Sequence, residues 1–216
     1  MPSPHPSLGR KLVLGVTGAS GAIFARRMLQ LLEADERVGK IHLVISGSGL
    51  KVLRHELNLE VSRASEIPSA LAAQALTKTV YLLDSDIGSN IASGSYHVDG
   101  MVVIPCTTGC LAQIAQGISE TLIERAADVC LKEGRKLVLA VRDAPFNRIH
   151  LENMLRAQAA GAVIFPIIPS FYHRPRTIDD LVTQFCCRVL ALLGFEQAQQ
   201  FQWTGLSAGE GEDTGQ

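Results

Sequence analysis

The 216-residue chain is 47% hydrophobic and 19% charged, with a net charge of −1. That is enough apolar content to bury one core, and too little charge imbalance to favour nucleic acid or a membrane surface as the main partner. No apolar run reaches the roughly 20 residues that span a bilayer, and Met1 to Ser7 has neither the basic nor the apolar region of a signal peptide, so a cytoplasmic protein is expected.

The first apolar run, Leu12-Val13-Leu14, stops at Gly15 and gives way to glycines three apart, Gly15, Gly18 and Gly21. A helix-favouring run from Ile23 to Leu32 follows. This reads as strand, tight loop and helix, and such a loop is a candidate cradle for a phosphate, since glycine lets a ligand approach the backbone and a helix start offers N–H groups to an anion. The alternative is a plain βα turn that binds nothing. The spacing is neither the dinucleotide fingerprint G-x-G-x-x-G nor a P-loop, because no Gly-Lys-Ser/Thr follows.

Further along, Ile41 to Ser46 predicts a strand, Leu50 to Leu57 a helix and Thr79 to Leu82 a short strand, with Glu60 to Asp84 otherwise weakly patterned. Ser85 to Tyr96 has the Gly, Ser and Asn content of a long loop. Met101 to Pro105 is the next strand, ending in Cys106-Thr107-Thr108-Gly109-Cys110 before a helix at Leu111 to Ala115. Helices over Leu122 to Lys132 and Ile149 to Gln158 alternate with strands over Lys136 to Val141 and Ala162 to Phe165. Thr177-Ile178-Asp179-Asp180 opens the last helix as a capping box, which explains the acidic pair better than a magnesium-diphosphate motif does. A Gly205-Leu206-Ser207-Ala208-Gly209 match to G-x-S-x-G has no strand before it and is set aside. Five cysteines, Cys106, Cys110, Cys130, Cys186 and Cys187, fit reduced core thiols, and the C-x-x-x-C spacing of the first two lacks a second ligand pair for zinc.

Repeated βα units imply a single α/β domain over 11–203. The expected fold is a three-layer, Rossmann-like (flavodoxin-like), doubly wound parallel sheet, flanked by disordered tails at 1–10 and 204–216. Ligands of such sheets bind at the carboxyl ends of the strands. Those ends carry Thr17 to Ser20, Ser46, Thr107-Thr108-Gly109 and Arg142-Asp143, a set suited to a phosphate and a polyhydroxyl chain.

Six stretches sharpen this picture. Gly15-Val16-Thr17-Gly18-Ala19-Ser20-Gly21, Ile91-Ala92-Ser93-Gly94-Ser95 and Pro105-Cys106-Thr107-Thr108-Gly109 are three. The others are Glu124-Arg125-Ala126-Ala127-Asp128-Val129-Cys130-Leu131-Lys132-Glu133, Arg142-Asp143-Ala144-Pro145 with His150-Leu151-Glu152-Asn153-Met154, and Phe171-Tyr172-His173-Arg174-Pro175 with Thr177-Ile178-Asp179-Asp180. In this order, from about Lys11 to about Phe195, they resemble the UbiX-type flavin prenyltransferases. The resemblance implies an enzyme that joins a dimethylallyl group from dimethylallyl monophosphate to N5 and C6 of reduced FMN, without a metal. The prenylated FMN would serve a UbiD-type decarboxylase, and the chain would assemble as a dodecamer with sites between subunits.

By the same resemblance, Gly18, Ala19 and Ser20 fall on the first FMN loop, Ser46 on its phosphate side, Thr107, Thr108, Gly109 and Cys110 around the flavin, and Arg142 on the arginine after the fifth strand. Arg125, Lys132, Tyr172 and Arg188 fall on the residues that hold the prenyl phosphate, and Ser20 and Glu56 lie near the reacting flavin atoms. Arg125, Lys132 and Arg188 would help the phosphate leave, as charge-assisted donors can. Taken singly, these charged residues read as solvated surface groups, Tyr172 as a loop anchor, and His150 and His173 as structural. Two departures stand out: Asp143 replaces a usual glutamate at the catalytic carboxylate position, and Gly47 stands where lysine is common. Two rivals follow. One is a flavin-dependent cysteine decarboxylase, whose Pro-x-Met-Asn segment is missing here; the other is a non-catalytic FMN carrier.

Overall fold

The computed structural model describes residues 9–203; most of the two expected tails, and the Gly205-x-Ser207-x-Gly209 match, lie outside the described residues. Six parallel strands form one sheet: β1 (Arg10–Val16), β2 (Val38–Ile45), β3 (Thr79–Leu83), β4 (Gly100–Cys106), β5 (Lys136–Val141) and β6 (Val163–Ile164), in the order β3-β2-β1-β4-β5-β6. The helices between and after them are α1 (Ala22–Ala34), α2 (Gly47–Leu57), α3 (Ile67–Ala72), α4 (Thr108–Gln116), α5 (Leu122–Lys132), α6 (Arg148–Ala159) and α7 (Ile178–Leu192).

Alternation along the strands sends side chains to two cores. Leu12, Leu14 and Val16 face one side, where Met28, Leu53, Leu71, Val182 and Leu190 bring in α1, α2, α3 and α7. Val13 on β1, with Met101 and Val103 on β4, faces the other side, where Leu111, Ile123 and Ala157 bring in α4, α5 and α6. This is the doubly wound three-layer arrangement, and strands covered on both faces account for the near-continuous apolar runs of the sequence. Among the described residues no helix is long and apolar enough to cross a membrane.

β1 begins at Arg10, within the expected tail. Its backbone N–H donates to Arg37 O at 2.8 Å, its guanidinium donates to Gly194 O at 3.0 Å, and the same group lies 4.0 Å over the Phe195 ring. The weakly patterned stretch before β3 contains α3, which has only six residues, too few for a helical period to declare itself. The capping box at the start of α7 forms: Asp180 N–H donates to Thr177 Oγ1 at 3.1 Å and Thr177 N–H to Asp180 Oδ2 at 2.9 Å.

Candidate active site

Strand order reverses between β1 and β4. The chain leaves β1 toward α1 on one face and leaves β4 toward α4 on the other, which opens a crevice at the carboxyl edge of the sheet. Thr17 forms its base. The Thr17 hydroxyl donates to Pro105 O at 2.8 Å and accepts the Thr107 N–H, also at 2.8 Å, tying the two diverging loops together.

Around this base lie the loop residues expected from the sequence. Gly18 must be glycine, because a Cβ there would sit 2.6 Å from both Cβ and Oγ of Ser48. Ser46 caps α2, accepting Gly49 N–H at 3.0 Å, and its hydroxyl lies 3.1 Å from that of Ser48. Thr107 caps α4 by accepting Cys110 N–H at 3.1 Å. At Gly109 a Cβ would meet only Thr107 Oγ1, at 3.9 Å, so that side of the loop is open to a ligand. Cys110 is less suited than the sequence implied, because its N–H is engaged by Thr107 and its thiol is buried. Ala19 is buried too, so it can offer a ligand its backbone alone.

The start of α1 differs from the simple cradle expected there. Its anion is already present: the Glu56 carboxylate accepts Gly21 N–H at 2.9 Å and Ala22 N–H at 2.7 Å. Burial pushes the Glu56 carboxyl up; hydrogen bonds from Ser20, Ala22 and Gly21, together with the nearby Arg142 charge, outweigh it and hold the carboxyl below its ordinary value. Ser20 is therefore hydrogen-bonded to Glu56, and Arg142 lies near enough for its charge to act on that carboxylate.

On the β5 side, Arg142 N–H donates to Cys106 O at 3.0 Å, and Asp143 follows it. These residues line a cleft of about 370 Å³ whose remaining wall is Val141, Ala144 to Phe146, and Pro166 to Ile168. The apolar part of that wall was not foreseen, since nothing in Pro166-Ile167-Ile168 distinguishes it from a strand end. A second cleft of about 330 Å³ holds Tyr172 and Arg188 with Ser170, His173, Gln184, Phe201 and Trp203. Phe201 and Trp203 were also missed. Trp203 is the single tryptophan of the chain, and its ring stands 5.3 Å from that of Tyr172; an isolated aromatic near the end of a domain was the available signal.

Arg125 and Lys132 lie elsewhere. Arg125 donates to Ala92 O at 3.0 Å and pairs with Asp128 at 2.7 Å, while Lys132 pairs with Glu133 beside Gly94. Both belong to α5, whose apolar face packs against one side of the sheet, whereas Arg188 belongs to α7 on the opposite side. Within one copy of the chain the sheet separates Arg125 and Lys132 from Tyr172 and Arg188, so the four-residue phosphate cluster expected from sequence does not form there. Among the described residues there is no group of three or more His, Cys, Asp or Glu side chains placed to hold a metal.

Comparisons with known proteins agree with this geometry. A family model described as Flavoprotein matches residues 1–189. The flavin prenyltransferase UbiX of Halalkalibacterium halodurans is 44% identical over 191 residues, covering 88% of this chain and 91% of its own. That of Methanocaldococcus jannaschii is 38% identical over 193 residues, covering 89% and 98%. Among solved structures, AnUbiX (PadA1) in complex with FMN and dimethylallyl pyrophosphate superposes with a TM-score of 0.80 at 36% identity, covering 92% of this chain and 99% of its own. A dodecameric FMN-dependent UbiX-like decarboxylase from Escherichia coli O157:H7 gives 0.79 at 39% identity, covering 90% and 100%.

Proposed function

The chain belongs to the Flavoprotein family and, within it, to the UbiX-type flavin prenyltransferases, and from that premise we propose how its residues share the work. The enzyme is a transferase acting on FMN. The observation that carries the reading is the crevice at the β1/β4 switch point, where Ser20 hydrogen-bonds to Glu56, whose carboxylate also feels the Arg142 charge.

The residues present fit a flavin mononucleotide. Gly18 to Ser20, Ser46, Thr107 to Gly109 and Arg142 would hold it, with the open side of Gly109 giving the ring room. When bound, reduced FMN supplies the nucleophilic N5 and C6 that receive the prenyl group. Glu56, kept ionised by its hydrogen bonds, holds the Ser20 hydroxyl and is the candidate proton acceptor on the protein side. Asp143 is the second carboxylate, in the lining of the largely apolar cleft. In this proposal its Pro145, Phe146, Pro166, Ile167 and Ile168 wall gives an allylic centre, which water would quench, an apolar surface to lie against.

The donor in this proposal is dimethylallyl monophosphate. Tyr172 and Arg188 bind its phosphate from one copy of the chain, and Arg125 and Lys132 neutralise it from a neighbouring copy in a dodecamer. The separation of the two pairs by the sheet supports this division. A UbiD-type decarboxylase is the proposed recipient of the product, and residues 11–203 are the proposed catalytic unit. The five described cysteines are free and buried, which fits work in a reducing cytoplasm.

The reaction is tested by anaerobic incubation with reduced FMN and dimethylallyl monophosphate. A prenylated flavin mass is expected; a carrier would return FMN unmodified.

A further inference from the structure

Resting on the prenyltransferase reading, we propose that Thr108 is a positioning residue that fixes the Asp143 carboxylate, in addition to bordering the flavin loop. The Thr108 hydroxyl donates to Asp143 Oδ2 at 3.2 Å, and the Ala144 N–H donates to Asp143 Oδ1 at 2.9 Å. Each carboxylate oxygen thus has one donor, from two different segments of chain. Rotation about the Cβ–Cγ bond, the one freedom left to an aspartate once χ1 is set, breaks both bonds at once.

The two donors are themselves held. Thr108 is the first residue of α4, and its branched Cβ restricts χ1 on a helix start already tied down by the Thr107 cap. The loop carrying Asp143 is anchored to the same end of β4 by the Arg142 N–H to Cys106 O bond at 3.0 Å. The acid therefore sits in a fixed attitude in the lining of the cleft it shares with Pro145, Phe146 and Ile168. A carboxylate is catalytically useful only when held near its productive geometry, and the hydroxyl of Thr108 supplies that restraint.

The test is a double-mutant cycle. Thr108→Val and Thr108→Ser are made in the wild-type and Asp143→Ala backgrounds, reading FMN affinity by flavin fluorescence quenching and kcat and KM for dimethylallyl monophosphate by prenylated FMN formed. At saturating FMN, with affinity measured separately, Thr108→Val is expected to lower kcat on the order of tenfold, the scale of one lost hydrogen bond to a charged group. Thr108→Ser should recover most of that loss, and Thr108→Val should cost nothing further in Asp143→Ala. Weakened FMN binding with unchanged kcat, or the same loss in both backgrounds, overturns the proposal. If Asp143→Ala is itself inactive, the serine rescue decides. Failure of the wild-type enzyme to prenylate FMN is a separate result: it removes the reading on which the inference stands.

Discussion

Glu56 accepts the Ala22 N–H at 2.7 Å from 34 residues further along the chain, so the first turn of α1 is closed by a carboxylate supplied from α2. Two consequences follow. The start of α1 carries its own negative charge and does not await a ligand's, and the Ser20 hydroxyl has a fixed anion to orient against.

Because the folded state lowers the Glu56 pKa, the carboxylate's contribution to stability is fully present above its ordinary value of 4.5 and is lost as pH falls through the lowered one. Glu56→Gln should therefore unfold at lower urea concentration than wild type at neutral pH, with the gap closing below that value. A gap that stays constant down to pH 3 would show that the charge is not what caps the helix.

His42 titrates with the same sign but at higher pH, because here the neutral form is the one the fold favours. It is 1% exposed on β2, its Nε2 lies 3.0 Å from the Tyr96 hydroxyl, and burial, reinforced by Lys40 and Lys11, lowers its pKa from 6.5 to about 4. The unfolded chain binds this proton first as pH falls, so the contribution of neutral His42 declines from pH 6.5 and levels off below about 4. His42→Gln keeps a partner for Tyr96 without titrating. Its urea midpoint should vary less than that of wild type across this window; parallel curves would contradict the assignment.

At Gly18 the close approach of Ser48 makes a packing prediction. Gly18→Ala should destabilise the fold by about 1–3 kcal/mol, the usual cost of overpacking, and Ser48→Gly should relieve part of it, since the added Cβ would sit 2.6 Å from Ser48 Cβ and Oγ but also 3.1 Å from the Ser48 carbonyl carbon, which stays. Urea titration of the single and double variants reads this, and an unrelieved double variant would place the clash elsewhere.

The strands, α1 and the capping box of Thr177 and Asp180 were legible because each is encoded locally, by period or by a side chain three residues away. The cap on α1 was not, since Glu56 reaches it only after β2 and α2 have folded. α3 was hidden by its length, although Pro68 in its first turn and the Ile67 and Leu71 pair four residues apart mark it in retrospect. The loop residues Ser20, Ser46, Thr107 and Arg142 could be placed at one edge of the sheet from the βα repeat alone, since parallel strands share the edge that bears their carboxyl ends. The separation of Arg125 and Lys132 from Tyr172 and Arg188 could not, because which face a helix covers depends on how the chain winds and not on the motif that the helix carries.

That separation offers the most direct test of the central claim, that one working site draws cations from two copies of the chain. Lys132→Ala and Arg188→Ala, carrying different affinity tags, are co-expressed, and assemblies holding both tags are assayed for prenylated FMN. Each variant alone should bind FMN and form almost no product. The mixed assemblies should recover activity toward roughly a quarter of wild type, the share of sites that receive both native residues under random assembly. Mixed assemblies as inactive as either parent would contradict the account.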